Sequence, residues 1–154
     1  MAANPQRPDA AVDWSRLELW RLRLESDLRA IVCAAKLLPA WTRSPMLRRI
    51  AWQLLLTYPN GRAYRLAKEA GETGFGETPL FSALGILRDA QAKEGQTLVE
   101  LGCGPGRLSL AGAGLFGLRC RAVDRVTGFI VRGNAIADRL KLNLRYEERD
   151  LWLW

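Results

Sequence analysis

The chain has 154 residues, of which 49% are hydrophobic and 25% are charged, and it carries a net charge of +7 at neutral pH. This composition is that of an ordinary folded domain with one hydrophobic core, and it excludes a disordered tail. The chain has no histidine, which excludes His-based catalytic triads and His metal ligands. Its three cysteines are scattered and form no CxxC pair, so we expect a cytoplasmic protein without a zinc site or a disulfide framework.

The charge is unevenly distributed along the chain. Residues 1–70 contain 12 Lys and Arg against 6 Asp and Glu, a balance of +6, whereas residues 71–154 contain 11 against 10. A basic half of this kind can attract RNA or an anionic membrane surface, although we favour a solvated helix face. No apolar stretch approaches the roughly 20 residues that span a bilayer, so we expect no transmembrane segment.

The N-terminal half is predicted to be helical. Residues 1–12 contain two prolines and no periodicity, which indicates a flexible N-terminus. From Asp13, apolar residues recur at helical spacing until Pro39, so residues 13–76 are predicted to form a helical region. Within it, Ser44 and Pro45 are the predicted N-cap and first residue of a second helix. The apolar stripe predicted for that helix is Met46, Leu47, Ile50, Ala51, Leu54 and Leu55.

Tryptophans alternate with arginines through this helical half. For Trp14, Trp20, Trp41 and Trp52 we favour packing in the core beneath a basic outer face. A helix that lies on a membrane surface, or a surface that faces RNA, is the alternative.

The C-terminal half changes to an alternating pattern of helices and strands. Thr78 and Pro79 predict the start of a helix that Gly95 closes, and a turn of composition "TYPNG" precedes it at residues 57–61. Three short β-rich runs follow, at residues 97–101, 118–124 and 143–150, with helical patterns between them. The predicted fold class is therefore α/β, a Rossmann-like parallel sheet of about three strands with right-handed crossovers, over residues 77–154.

The stretch "TLVELGCGPGRLSL" at residues 97–110 joins a strand to a helix through Gly102, Gly104 and Gly106. A glycine turn at this place lets a ligand approach the backbone and the free N–H groups of the helix N-terminus, and the usual ligand is a nucleotide. Arg107 stands where the dinucleotide motif GxGxxG needs its third glycine, and there is no GxxxxGK[ST] motif. Both the dinucleotide-binding and the ATPase interpretations are therefore disfavoured.

The residues "VELGCGPGRL" resemble the first motif of the class I S-adenosylmethionine-dependent methyltransferases, in which an acid precedes a G-x-G-x-G turn with one residue between them. Asp124, at the end of "CRAVD", and Asp150, at the end of "YEERD", match the acids that this family places after its second and third strands. The resemblance covers roughly residues 76–154, the N-terminal part of that fold.

The resemblance implies S-adenosylmethionine as cofactor and a role for each matching residue. The backbone of Gly102, Gly104 and Gly106 would contact the methionine and ribose portions, and Glu100 would orient the turn and accept from the ammonium group. Asp124 would accept from both ribose hydroxyls, and Asp150 from the adenine amino group, with Leu151 or Trp152 against the ring. Phe75 and Thr78, in the segment "GFGETP", resemble residues that lie over the cofactor in some of these enzymes.

Each of these positions also has a purely structural interpretation. Glu100 could be a strand-end charge satisfied by a backbone amide, Asp124 could cap the helix that begins near Val126, and Asp150 could be a solvated loop acid. Cys103 is expected to be a small buried residue and Arg107 a surface residue of the first helical turn.

The resemblance implies a methyltransferase, whose methyl acceptor is unknown and for which no catalytic residue is identified. The chain ends at Trp154, directly after the third predicted strand, so we expect a fragment, a subunit completed by a protein partner, or a truncated protein that no longer catalyses. The alternative function is therefore non-catalytic, namely binding of a partner protein, RNA or a membrane surface through the basic helical half.

Overall fold

The computed structural model describes residues 42–72 and 76–151, except for the side chain of Asn60. The predicted flexible N-terminus and the predicted helix that starts at Asp13 lie outside these ranges, as do Phe75, Trp152 and Trp154. The elements in chain order are α1 (Pro45–Thr57), a 3₁₀ turn (Pro59–Gly61), α2 (Arg62–Glu69), α3 (Leu80–Asp89), β1 (Thr97–Leu101), α4 (Arg107–Leu115), β2 (Arg119–Asp124), α5 (Thr127–Leu140) and β3 (Leu144–Glu148).

The described strands form a three-stranded sheet in the order β1-β2-β3, and both pairings are parallel. The register places Leu101 beside Val123, and Asp124 beside Glu148. The carboxyl ends of all three strands therefore meet at one edge of the sheet, called the carboxyl edge below. The predicted α/β class with a three-stranded parallel sheet is confirmed.

One face of the sheet is buried beneath helices. Side chains alternate along the strands, and Cys120, Ala122, Leu144 and Tyr146 are buried on the covered face. On the other face, Val99 and Leu101 of β1 are 45% and 54% exposed. β1 is also an edge strand of the described sheet, so apolar surface and one row of backbone groups remain accessible there.

Helix α1 begins as the sequence predicts. Ser44 Oγ accepts a hydrogen bond from Leu47 N–H at 3.2 Å, and Pro45 occupies the first turn. Leu47, Ile50 and Leu54 form the buried stripe. The predicted burial of Leu55 is wrong, since its side chain is exposed beside that stripe.

The prediction that Trp52 packs in the core is also wrong, because 57% of this residue is exposed. Trp52 lies two residues after Ile50, which at 100° per residue places it on the outer side of α1. The other three tryptophans of the helical half lie outside the described residues.

Helix α3 differs from the prediction at both ends. Its N-cap is Pro79, and no side chain caps it, so Thr78 does not have the predicted capping role. The helix ends at Asp89, six residues before Gly95. Gln91, whose φ is 51°, adopts a left-handed conformation two residues after the helix ends and four residues before that glycine.

Helix α4 packs closely against its neighbours because it contains two glycines, Gly112 and Gly114. A Cβ at Gly112 would lie 3.1 Å from Leu98 Cδ2, and one at Gly114 would lie 2.7 Å from Ile50 Cδ1. These glycines therefore let α4 approach β1 on one side and α1 on the other.

The other edge strand, β3, is partly covered by a side chain of α5. Asn134 Oδ1 accepts from Tyr146 N–H at 2.9 Å, and Asn134 Nδ2 donates to Tyr146 C=O at 3.1 Å. These bonds satisfy both backbone groups of one edge residue. Of the helices that the structure describes, none is both long enough and apolar enough to cross a membrane.

Candidate functional site at the carboxyl edge

The turn between β1 and α4 contains the three predicted glycines, all in left-handed conformations. The φ angles of Gly102, Gly104 and Gly106 are 65°, 52° and 70°. A Cβ at Gly102 would meet no atom within 4 Å, so a ligand can approach the backbone there. The turn therefore needs glycine for its backbone, and it leaves free space at Gly102.

Asp124 ties the turn to the end of β2. Its Oδ2 accepts from Gly104 N–H at 2.7 Å, and its Oδ1 accepts from Val126 N–H at 2.9 Å. The residue is only 8% exposed. The N-cap of α5 is Val126, and no side chain caps the helix. Asp124 therefore does not have the predicted capping role, and it accepts from the N–H of the N-cap residue instead. Each carboxylate oxygen can still accept a further hydrogen bond.

Glu100 lies beneath the turn and is fixed by α4. Its Oε2 accepts from Ser109 N–H at 2.9 Å and from Ser109 Oγ–H at 2.6 Å. Burial raises the pKa of the Glu100 carboxyl above its ordinary value, and the two bonds from Ser109 partly counteract that rise. The backbone-amide partner that the structural interpretation anticipated is present, yet Oε1 accepts no hydrogen bond from the described residues.

Asp150 follows β3 and is exposed. The neighbouring Arg149 N–H donates to Asp124 C=O at 3.0 Å, which joins the ends of β2 and β3. The third predicted acid therefore lies at the same edge as the other two. Arg125, which forms an ion pair with Glu72, is within electrostatic range of both Asp124 and Asp150.

A small cavity separates the glycine turn from the segment before α3. It has a volume of about 30 Å³, and its lining includes Glu100, Gly102, Thr78 and Arg107. Arg107 forms an ion pair with Glu77 across this space, and both side chains are partly buried. Arg107, which was predicted to be a surface residue, therefore connects the first turn of α4 to the segment that precedes α3.

Tyr146 occupies the space that Gly106 leaves free. A Cβ at Gly106 would overlap the Tyr146 hydroxyl, and one at Gly133 of α5 would overlap the same ring. The hydroxyl donates to Pro105 C=O at 3.1 Å. The absent side chain at Gly106 is thus explained by a buried tyrosine, while its predicted contact with a cofactor stays a prediction.

Neither of the cysteines that the structure describes is reactive, and only Cys103 lies in the turn. Cys103 is buried, as expected, and burial raises the pKa of its thiol far above the ordinary value. Burial likewise raises the pKa of Cys120, to about 12. Neither is a thiolate at neutral pH, so neither is an activated nucleophile. Among the residues that the structure describes, no group of three His, Cys, Asp or Glu side chains could hold a metal ion.

Solved structures similar to the chain include methyltransferases. Coclaurine N-methyltransferase bound to N-methylheliamine and SAH has 20% identity and a TM-score of 0.44, over 80% of this chain and 45% of that one. A mutant of the nicotianamine synthase MtNAS in complex with S-adenosylmethionine has 13% identity and a TM-score of 0.43, over 67% and 40%. A structure that concerns the conversion of a disulfide bond into a thioacetal group during echinomycin biosynthesis has 28% identity and a TM-score of 0.41, over 56% and 39%.

The chain spans less than half the length of each of these solved chains. No protein-family model and no curated protein matches it.

Three residues of the site were missed in the sequence. Ser109 holds Glu100, Glu77 holds Arg107, and Tyr146 fills the space beside Gly106. Ser109 gave a detectable signal, because after Arg107 it is the only polar side chain of α4. Glu77 and Tyr146 gave none, since their partners are 30 and 40 residues away in the chain.

Proposed function

We propose that the chain binds S-adenosylmethionine at the carboxyl edge and belongs to a methyltransferase whose acceptor is not identified. The observation that carries this proposal is the pair of buried or half-buried carboxylates, Glu100 and Asp124, on either side of the glycine turn. Both lie against the backbone that would hold the ligand.

The negative charge of these carboxylates favours a cationic nucleoside ligand over one with a pyrophosphate. A pyrophosphate needs unsatisfied N–H groups and positive charge at the turn. Here the N–H of Gly104 is already bonded to Asp124, and Glu100 adds a second negative group. A ligand with cationic ammonium and sulfonium groups and a ribose diol matches these two carboxylate acceptors better than a dinucleotide does.

The residues fit the cofactor by chemistry, and the fit requires one rearrangement. Glu100 Oε1 would accept from the ammonium group, Asp124 from the ribose hydroxyls and Asp150 from the adenine amino group. The space at Gly102 is open, but a cavity of about 30 Å³ holds little more than one water molecule. A cofactor that enters this cavity therefore requires residues 76–78, which Glu77 attaches to Arg107, to move away.

The bound cofactor supplies an activated methyl group, so the protein has to supply alignment and exclude water. In this chain, Ser109 holds the Glu100 carboxylate, and Asp124 holds the turn in its left-handed conformation. The lack of histidine is compatible with such chemistry, because the transfer itself needs no dedicated nucleophile on the protein.

Isothermal titration of the full chain with S-adenosylmethionine tests the proposal. We expect micromolar binding that Asp124→Ala weakens at least about tenfold, because two charge-assisted hydrogen bonds are lost. Asp150→Ala, at an exposed position, should weaken binding less and should not disturb folding. Asp138→Ala, an exposed acid on α5, is the matched control.

Circular dichroism of each variant separates lost binding from lost folding, since Asp124 also holds Gly104 and Val126. Absence of binding at millimolar cofactor would refute the proposal for this chain. Equal losses in Asp150→Ala and Asp138→Ala would refute the assignment of Asp150.

Binding without catalysis is the second candidate function, and two observations favour it. Trp52 is exposed on α1, and Val99 and Leu101 are exposed on the edge strand β1. A protein partner that adds a strand to β1 would pair with the backbone groups of this edge, beside the Val99 and Leu101 side chains. Binding of S-adenosylmethionine without methyl transfer to protein, RNA or lipid extracts would support this second function.

A further inference from the structure

A groove lies between the first half of α1 and the C-terminal end of α5, away from the glycine turn. It has a volume of about 540 Å³, and it is lined by Arg48, Arg49, Trp52, Gln53, Arg139 and Leu140, together with Pro45. This volume is within the range of roughly 300–1,000 Å³ of pockets that hold small ligands. α5 starts at the carboxyl edge and runs back to the start of β3, so its last residues lie at the opposite edge of the sheet.

The charge of this groove has one sign. Three arginines are among its lining residues, no carboxylate is among those that the structure describes, and α1 contains no acidic residue. Two of the arginines are positioned by hydrogen bonds: Arg139 Nη1 donates to Gln53 Oε1 at 2.8 Å, and Arg48 Nη1 donates to Thr42 C=O at 3.2 Å. Planar guanidinium groups held in this way match the geometry of phosphate oxygens.

Trp52 gives the groove an aromatic surface. Because 57% of this residue is exposed, the indole contributes little to the core and its ring is accessible. An exposed aromatic ring beside arginines is the combination on which single-stranded bases stack while their phosphates are neutralised.

We propose that this groove binds single-stranded nucleic acid, with a base stacked on Trp52 and phosphates contacted by Arg48, Arg49 and Arg139. The surface is concave and is built from two helices, which suits an extended strand better than a flat bilayer. Leu55 and Leu56, the exposed apolar residues that would insert into a membrane, are not part of the lining. This inference is independent of cofactor binding at the carboxyl edge.

Fluorescence anisotropy of a short fluorescein-labelled oligouridylate with the full chain tests the inference. We expect the double variant Arg49→Ala, Arg139→Ala to weaken binding at least tenfold. Trp52→Ala should weaken it roughly five- to hundredfold, as expected for the loss of one stacked base. Three phosphate contacts should give a slope of about −2 for the logarithm of the binding constant against the logarithm of salt concentration.

Matched controls are Arg88→Ala on α3, Arg145→Ala on β3 and the double variant of both, which removes two exposed arginines outside the groove. Losses as large in these controls as in the groove variants would overturn the proposal, because binding would then follow net charge alone. Binding to vesicles of phosphatidylserine and phosphatidylcholine without binding to the oligonucleotide would also overturn it, in favour of a membrane surface. S-adenosylmethionine titration of the same variants should be unchanged, so a failure here is distinguishable from a failure at the carboxyl edge.

Discussion

Tyr146 links three elements through a single buried side chain. Its ring fills the space beside Gly106 and Gly133, and its hydroxyl donates to the carbonyl of Pro105. The turn that carries the candidate site is therefore supported from below by β3, and its conformation depends on packing as well as on glycine.

We expect Gly106→Ala to lower the free energy of unfolding by roughly 2–5 kcal/mol. The left-handed backbone contributes about 1–2 kcal/mol of this loss, and overlap with Tyr146 about 1–3 kcal/mol. Gly95→Ala is the control, because Gly95 has a φ of 82° but open space around it, so it should lose only the backbone part. Urea denaturation measures both, and equal losses would show that Tyr146 does not constrain the turn.

Ser109 lowers the pKa of Glu100 through two hydrogen bonds. We expect Ser109→Ala to raise the pKa of Glu100 further, because the hydroxyl bond of 2.6 Å lowers it while burial raises it. Asp124, which also raises that pKa, is unchanged in the variant. Titration of the side-chain carboxyl carbons by NMR measures the shift, and Ser82→Ala, at a serine of α3, is the control.

The same change has a consequence for stability. A carboxyl whose folded pKa lies above its unfolded value contributes stability that is fully present below the unfolded pKa and is lost as pH rises through the folded pKa. Unfolding free energy should therefore fall more steeply above pH 4.5 in Ser109→Ala than in the parent chain. An unchanged pKa would show that the hydroxyl bond is not formed in solution.

The starts of α1 and α3 look alike in sequence, yet only one is capped. Both have a hydroxyl residue followed by proline, Ser44-Pro45 and Thr78-Pro79, but Ser44 accepts a hydrogen bond from Leu47 and Thr78 caps nothing. In α3 the helix starts one residue later, so Pro79 rather than Thr78 takes the N-cap position.

This difference gives a direct comparison of two matched substitutions. Ser44→Ala should lower the free energy of unfolding by about 1 kcal/mol, because Leu47 N–H loses its partner at the helix start. Thr78→Ala should change it by less than about 0.5 kcal/mol. Thermal unfolding followed by circular dichroism distinguishes them, and a larger loss in Thr78→Ala would contradict the assigned caps.

Across the whole molecule, the sequence predicted what depends on short-range patterns. The parallel sheet, the capped start of α1 and the placement of Glu100, Asp124 and Asp150 at one edge follow from local periodicity and from strand ends. The outward position of Trp52 could have been read from its spacing to Ile50, but its large apolar surface favoured the core.

Other features of the molecule depend on contacts that no local pattern contains. The ion pairs Glu77–Arg107 and Glu72–Arg125, and the packing of Tyr146 against Gly106, join positions that only the finished fold brings together. The arginine groove is of the same kind, since Arg49 and Arg139 are 90 residues apart in the chain.

The tyrosine that fills the space beside two glycines also limits how this chain can diverge. A larger residue at position 106 or 133 has no room while Tyr146 is present, and a smaller residue at 146 would leave a void between β3 and both neighbouring segments. Substitutions at these three positions can therefore be accepted only in combination. Covariation among Gly106, Gly133 and Tyr146 in related sequences would record the packing beneath the turn, independently of any ligand above it.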